Sequence, residues 1–363
     1  MKRLDTILIV YCVIAIASVS AQETTTHSAG FFKMISSDNL ELGIIYIPGG
    51  IEFPTGIDDK GNQLSFQDQD AKDYIAKEFW IGETEITYDQ WYSVITWAIN
   101  EKRGECKYIF SNRGREGSTG DIGKTPTIKK NEPVTMISWR DALVWCNAAT
   151  EYYNEHQNNT NIPLSLCYFY DEKYLHPIRT SLSDSAPLVD NGQIDNPYFN
   201  NDATGFRLPF SAEWEIAARW NGNISINSVA GYTEPYFIKG NSFSGGSMPV
   251  YESVDPIKVF DEIYEYAVLF INYRTSTAHT LPVKSKKPNY LQIFDLNGNV
   301  SEYCFDFHPS QRFHDYKISR GGGYGGGGTR SDPNGLQIGA LFWVNTYTPG
   351  DSASSNGFRI VKY

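Results

Sequence analysis

The chain has 363 residues, 41% of them hydrophobic and 14% aromatic, enough to bury the core of one large domain or two ordinary ones. Its net charge of −11, with no Lys/Arg-rich patch, argues against a nucleic-acid partner, because phosphate recognition needs a positive field. Outside the first residues the cysteines are Cys106, Cys146, Cys167 and Cys304, none in a C-x₂-C pair, which argues against a disulfide-dense scaffold and against a thiolate zinc site.

Residues 1–21 read as a secretory signal peptide. Lys2 and Arg3 form a positive start, Ile7–Ala17 is apolar, and Val19-Ser20-Ala21 is a small-residue cleavage site. The apolar run is too short for a membrane-spanning helix. Cleavage after Ala21 is the favoured outcome. Lipidation at Cys12, against which the bulky Tyr11 stands, is the alternative and the one route to a membrane. Either way the chain is expected to be exported, to the cell surface, the periplasm or the medium. Residues 22–40 are polar, without a clear period, and read as a tether before a domain spanning 41–363.

From Leu42 the pattern turns strand-like, with Ile44–Ile47 running into the turn signal Pro48-Gly49-Gly50. A second short strand, Phe79-Trp80-Ile81, leads into Thr87 and Gln90, spaced as a capping box. The helix it opens would bury Trp91, Val94, Ile95 and Ala98. Ser138 and Asp141 begin a second helix, through Leu143, Trp145 and Cys146. Residues 152–205 are rich in Asn, Asp, Tyr and Ser and read as a long excursion. A third helix is expected over Ser211–Trp220. Beyond it lie only short apolar runs and turns. A few helices among many short strands, without βαβ alternation, make an α+β domain. The four cysteines are either buried thiols or one or two disulfides, whose pairing the spacing leaves open.

Several stretches occur in the order of one known family. They are IIYIPGG at 44–50, EFWIGETEITYDQW at 78–91, EPVTMISWRDALVWCNA at 132–148, RLPFSAEWEIAAR at 207–219, DLNGNVSE at 295–302 and NGFRIV at 356–361. Together they resemble the formylglycine-generating-enzyme (sulfatase-modifying factor) family over nearly the whole mature chain. The resemblance implies that family's variant of the C-type lectin fold: a small twisted sheet, two or three helices and extensive loops. Trp139, Trp145 and Trp214 then read as core, and Arg207 with Glu213 or Glu215 as a buried ion pair. His308 and His314 read as surface histidines.

The family's catalytic members carry two cysteines just after a glycine run, which bind copper and oxidise a substrate thiol. Here RGGGYGGGG follows Ser319, and no cysteine occurs between Phe305 and Tyr363. Without thiolates the copper site cannot form, so no copper and no catalytic residue are expected. The DLNGNVSE stretch is oxygen-rich and irregular, as calcium sites are. By resemblance Asp295, Gly298, Val300 and Glu302 would hold a structural Ca²⁺.

A non-catalytic subgroup of this fold comprises the variable proteins of diversity-generating retroelements, and the chain is most like its treponemal members. Their variable region starts near RGG and ends at GFR, as Arg320-Gly321-Gly322 and Gly357-Phe358-Arg359 do here. The variable ligand-binding region is therefore expected over about 319–363. Its candidate contacts are Tyr324, Leu341, Phe342, Trp343, Asn345, Tyr347, Asp351 and Ser354, aromatic and small polar side chains of the kind that form recognition surfaces. Phe342 and Trp343 are adjacent, so an extended segment points them to opposite sides. The expectation is an exported or surface binding protein that recognises a protein rather than a sugar through this segment. The alternative is a formylglycine-generating-type enzyme or pseudo-enzyme acting on exported proteins.

Overall fold

The computed structural model describes residues 27–37, 40–56, 72–157, 162–182, 188–247, 256–269, 279–309, 316–325, 338, 342–344 and 352–363. The first part of the chain forms β1 (Phe32–Ser37), β2 (Leu40–Ile47), β3 (Glu52–Thr55), β4 (Lys72–Ile75), β5 (Phe79–Gly82) and α1 (Tyr88–Ala98). After a short 3₁₀ turn come β6 (Arg115–Glu116), β7 (Val134–Thr135), α2 (Trp139–His156), β8 (Tyr168–Phe169) and β9 (Tyr198–Phe199). Next are α3 (Ser211–Arg219), β10 (Trp220–Gly222), β11 (Tyr236–Phe237) and α4 (Pro256–Tyr266). The chain closes with β12 (Ser301–Phe307), β13 (Lys317–Arg320), β14 (Phe342–Val344), β15 (Asn356–Gly357) and β16 (Val361–Lys362).

Strand β2 is apolar on both faces, and that property sets the layering. Leu40, Leu42 and Ile44 point to a core shared with Trp91, Val94, Trp139 and Trp145 of α1 and α2. Ile45 and Ile47 point the other way, to a core shared with Trp214, Ile216 and Ala217 of α3. The sheet β1-β2-β5-β16 thus stands between two packed layers. Its first strand begins inside the stretch read as a tether. Phe32 and Met34 of this edge strand are exposed, so no buried alternation marks it in the sequence.

Both expected capping boxes form. Gln90 N–H donates to Thr87 Oγ1 at 3.3 Å and Thr87 N–H to Gln90 Oε1 at 2.9 Å. At α2, Asp141 N–H donates to Ser138 Oγ at 3.2 Å and Ser138 N–H to Asp141 Oδ2 at 2.9 Å. α3 starts after Phe210, which has no capping oxygen. Carboxylates supply it instead: Glu213 accepts from Phe210 N–H at 2.8 Å, and Asp306 from Ser211 N–H.

A second sheet, ordered β14-β13-β12-β15, carries the C-terminal motifs. Its central strand β12 pairs antiparallel with β13, placing Glu302 opposite Arg320, and parallel with β15, placing Glu302 opposite Gly357. Three stretches separate in sequence, DLNGNVSE, RGG and NGFR, therefore meet at Glu302.

Candidate recognition face

Glu302 is fully buried. Arg359 Nε and Nη2 donate to its two oxygens at 2.5 Å each, and Trp214 Nε1 adds a bond at 2.8 Å. Arg359 also donates to Gly82 O and Phe294 O, both at 2.9 Å, tying β12, β5 and the chain end together. Arg320 does the same for the glycine run. It donates to Glu215 Oε2 at 2.8 Å, to Ser211 Oγ at 2.7 Å and to the carbonyl of Ile338 at 2.7 Å. Ile338 is itself fully buried and donates its N–H to Ser242 O at 2.9 Å, so it is an anchor in the middle of the variable region.

The two ends of that region come together. Tyr324 N–H donates to Asn299 O at 2.8 Å, and Ser301 N–H donates to Ser355 O at 2.7 Å. The hydroxyls of Tyr324 and Ser354 meet at 3.2 Å. A Cβ on Gly323 would lie 2.9 Å from Ser355 O, so only glycine lets the two ends lie this close. Gly321, at φ +83°, turns the chain out of β13 in a conformation side chains rarely adopt. The segment between Gly325 and Ala353 thus leaves and returns at one place on a buried frame.

Of the predicted contacts, Tyr324 and Ser354 stand at this junction and are half-buried. Phe342 and Trp343 lie on β14, paired with Ser319 and Ile318 at the sheet edge, a strand where a loop was expected. Leu341, Asn345, Tyr347 and Asp351 lie outside the described residues, as does His314. His308 is buried, not a surface histidine, and burial lowers its pKa. Arg207 pairs with Glu213 at 2.6 Å, the first of the two partners considered; Glu215 instead serves Arg219 and Arg320.

The DLNGNVSE turn places a third carboxylate beside Glu302 and Asp295, one absent from the sequence reading. Glu85 accepts from Val300 N–H at 3.0 Å and from Asn299 Nδ2 at 2.7 Å. Asp295 accepts from Lys284 N–H at 2.8 Å through Oδ2, while its Oδ1 is buried with no hydrogen-bond partner among the described residues. Burial, reinforced by the neighbouring acids, raises Glu85 well above the carboxylate range; burial raises Asp295 to about 6. Three carboxylates face one guanidinium. Of their oxygens only Asp295 Oδ1 is left without a hydrogen bond among the described residues. Glu302, by contrast, has its oxygens already engaged by Arg359 and Trp214. Among the described residues no group of three His, Cys, Asp or Glu side chains is arranged as a ligand set.

The thiols near this face are inert. Cys304 is fully buried and burial pushes its pKa far up; burial raises Cys146 and Cys167 likewise, and among the described cysteines only Cys106 is exposed.

A mixed α+β fold of small, mostly antiparallel sheets with few helices is the architecture of formylglycine-generating-enzyme-like C-type lectin variants. The chain belongs to the sulfatase-modifying factor enzyme 1-like domain family, whose model matches residues 32–363. It is 24% identical over 321 residues to a chaperone protein, LppX, of Paenibacillus barcinonensis, covering 87% of each chain. Among solved structures it is similar to CarF, at 26% identity and TM-score 0.58, over 88% of this chain and 97% of that one. Variable protein 1 of Treponema denticola has the same TM-score at 22% identity, over 91% and 98% of the two chains, and shares the fold. No helix among the described residues is long and apolar enough to cross a membrane.

Proposed function

We propose that this is a non-catalytic, exported binding protein that recognises a protein ligand through the segment from Tyr324 to Ser354. The observation that carries this reading is the junction at Asn299–Ser301. Two motifs, clamped by Arg320 and Arg359, bring the ends of a long segment together, and Ile338 and β14 tie its interior to the same frame. The absence of any cysteine after Phe305 removes the thiol chemistry of the catalytic relatives. The signal-like residues 1–21 support export. A structural calcium ion held by the turn at Asp295 belongs to the same proposal as a stabiliser of the frame, with Glu302, closed by Arg359 and Trp214, not among its ligands.

The test uses the purified mature chain panned against a phage-displayed library of random peptides. Peptides enriched on the parent should lose binding when Tyr324, Phe342, Trp343, Asn345 and Tyr347 are together changed to Ala. Failure of any peptide to enrich, or enriched peptides that bind the alanine variant equally well, would overturn the reading.

A further inference from the structure

Among the described residues the fully buried arginines are paired with acids. Arg140 faces Asp195, Arg207 faces Glu213, Arg219 and Arg320 share Glu215, and Arg359 faces Glu302. Arg115 is half-buried and has no acid within ion-pair distance among the described residues. Its Nε donates only to neutral acceptors, Gly117 O at 3.1 Å and Thr135 Oγ1 at 3.4 Å. Its Nη2 is buried and has no hydrogen-bond partner among the described residues. Neighbouring Glu116 offers no help, because its carboxylate is turned to Thr127.

Arg115 is also well placed. It pairs with Thr135 across β6 and β7, and the next residue, Met136, donates its N–H to Ala353 O at 3.1 Å. Ala353 adjoins Ser354, whose hydroxyl meets Tyr324. Burial lowers the Arg115 pKa, and Tyr324 is close enough to oppose that effect. A guanidinium with no acidic partner among the described residues therefore stands beside the point where the recognition segment begins and ends.

We propose that Arg115 is a fixed specificity residue of this face, and that its guanidinium takes a carboxylate presented by the protein ligand. The proposal rests on the reading that ligand docks at the Tyr324–Ser354 junction. A planar guanidinium matches a carboxylate in geometry and charge, and an unsatisfied buried donor gains most from receiving one. Arg is also among the residues that dominate interfaces when held in a desolvated pocket. The chain's own charge of −11 repels a broadly acidic surface, so the matching group is a single carboxylate and not an acidic tract.

Two phage-displayed libraries of random peptides, identical except for a fixed central Glu or Gln, provide the probe. On the parent protein the Glu library should enrich over the Gln library. For a chosen Glu peptide, Arg115→Gln should weaken binding roughly ten- to a hundred-fold and bring it to the level of its Gln twin, whereas Arg115→Lys should retain part of the preference. Equal enrichment of the two libraries on the parent overturns the proposal, and so does a Glu preference that survives Arg115→Gln. The comparison on the parent alone stays decisive even if Arg115→Gln melts early. If neither library enriches, the docking reading falls and this one with it.

Discussion

Arg359→Met is the substitution whose cost the structure defines best. The guanidinium is fully buried, holds both oxygens of Glu302 at 2.5 Å and satisfies two backbone carbonyls at 2.9 Å. Removing one partner of a buried pair costs about 3–5 kcal/mol, since a desolvated charge is left behind. Each carbonyl deprived of its donor adds about 1 kcal/mol. The sum rivals the about 5–15 kcal/mol that holds most domains folded. Urea unfolding followed by tryptophan fluorescence should therefore find Arg359→Met largely unfolded at 25 °C. Adding Glu302→Gln should recover much of the loss, because the stranded charge is gone while Trp214 keeps an acceptor. An Arg359→Met protein within about 1 kcal/mol of the parent would refute the clamp. A double variant no better than the single one would show that charge desolvation is not the cause.

Further outcomes follow from other parts of the frame. If calcium occupies the turn at Asp295, chelator should lower the melting temperature, because an ion bound only by the native state stabilises it by mass action, and Asp295→Ala should remove that sensitivity; superposable curves with and without chelator would exclude the ion. Lys317 is fully buried and desolvation lowers its pKa to about 7, while the unfolded chain keeps its proton to about 10.4. Between those values the unfolded state binds more protons, so stability should rise with pH from about 7 to about 10, and the rise should be smaller in Lys317→Met. A Lys317→Met profile parallel to the parent's would refute this. A sulfatase-type cysteine peptide incubated with the protein and copper should yield no formylglycine by mass spectrometry, and detection of the product would favour an enzyme.

Much of the frame was legible because its signals are local. Thr87 with Gln90 and Ser138 with Asp141 announce helix starts within four residues, and the apolar run Ile44–Ile47 announces a strand covered on both faces. The convergence of RGG, DLNGNVSE and NGFR on Glu302 is not local, and no sequence signal pointed to it. What stayed hidden depends on tertiary partners. Nothing near Glu85 in the sequence shows that it will sit under Asn299 and Val300. Glu215 chooses Arg219 and Arg320 because its side of α3 faces β13, while Glu213 faces Arg207. The buried anchor Ile338 lies in the apolar run LQIGALFWV, which does not single it out, and Arg115 stands out only by the partner it lacks among the described residues.

The central claim, that the segment from Tyr324 to Ser354 binds while the frame carries stability, is tested most directly by one paired measurement. Thermal melting and binding of library-selected peptides are recorded for the parent, for the variant with Ala at Tyr324, Phe342, Trp343, Asn345 and Tyr347, and for Trp214→Ala. Trp214 is fully buried and bonded to Glu302 at 2.8 Å, and its truncation should cost about 3–5 kcal/mol. The account predicts that the five-alanine protein melts close to the parent yet binds no selected peptide, while Trp214→Ala melts far lower. A five-alanine protein that melts as early as Trp214→Ala, or that melts normally and still binds, would contradict it.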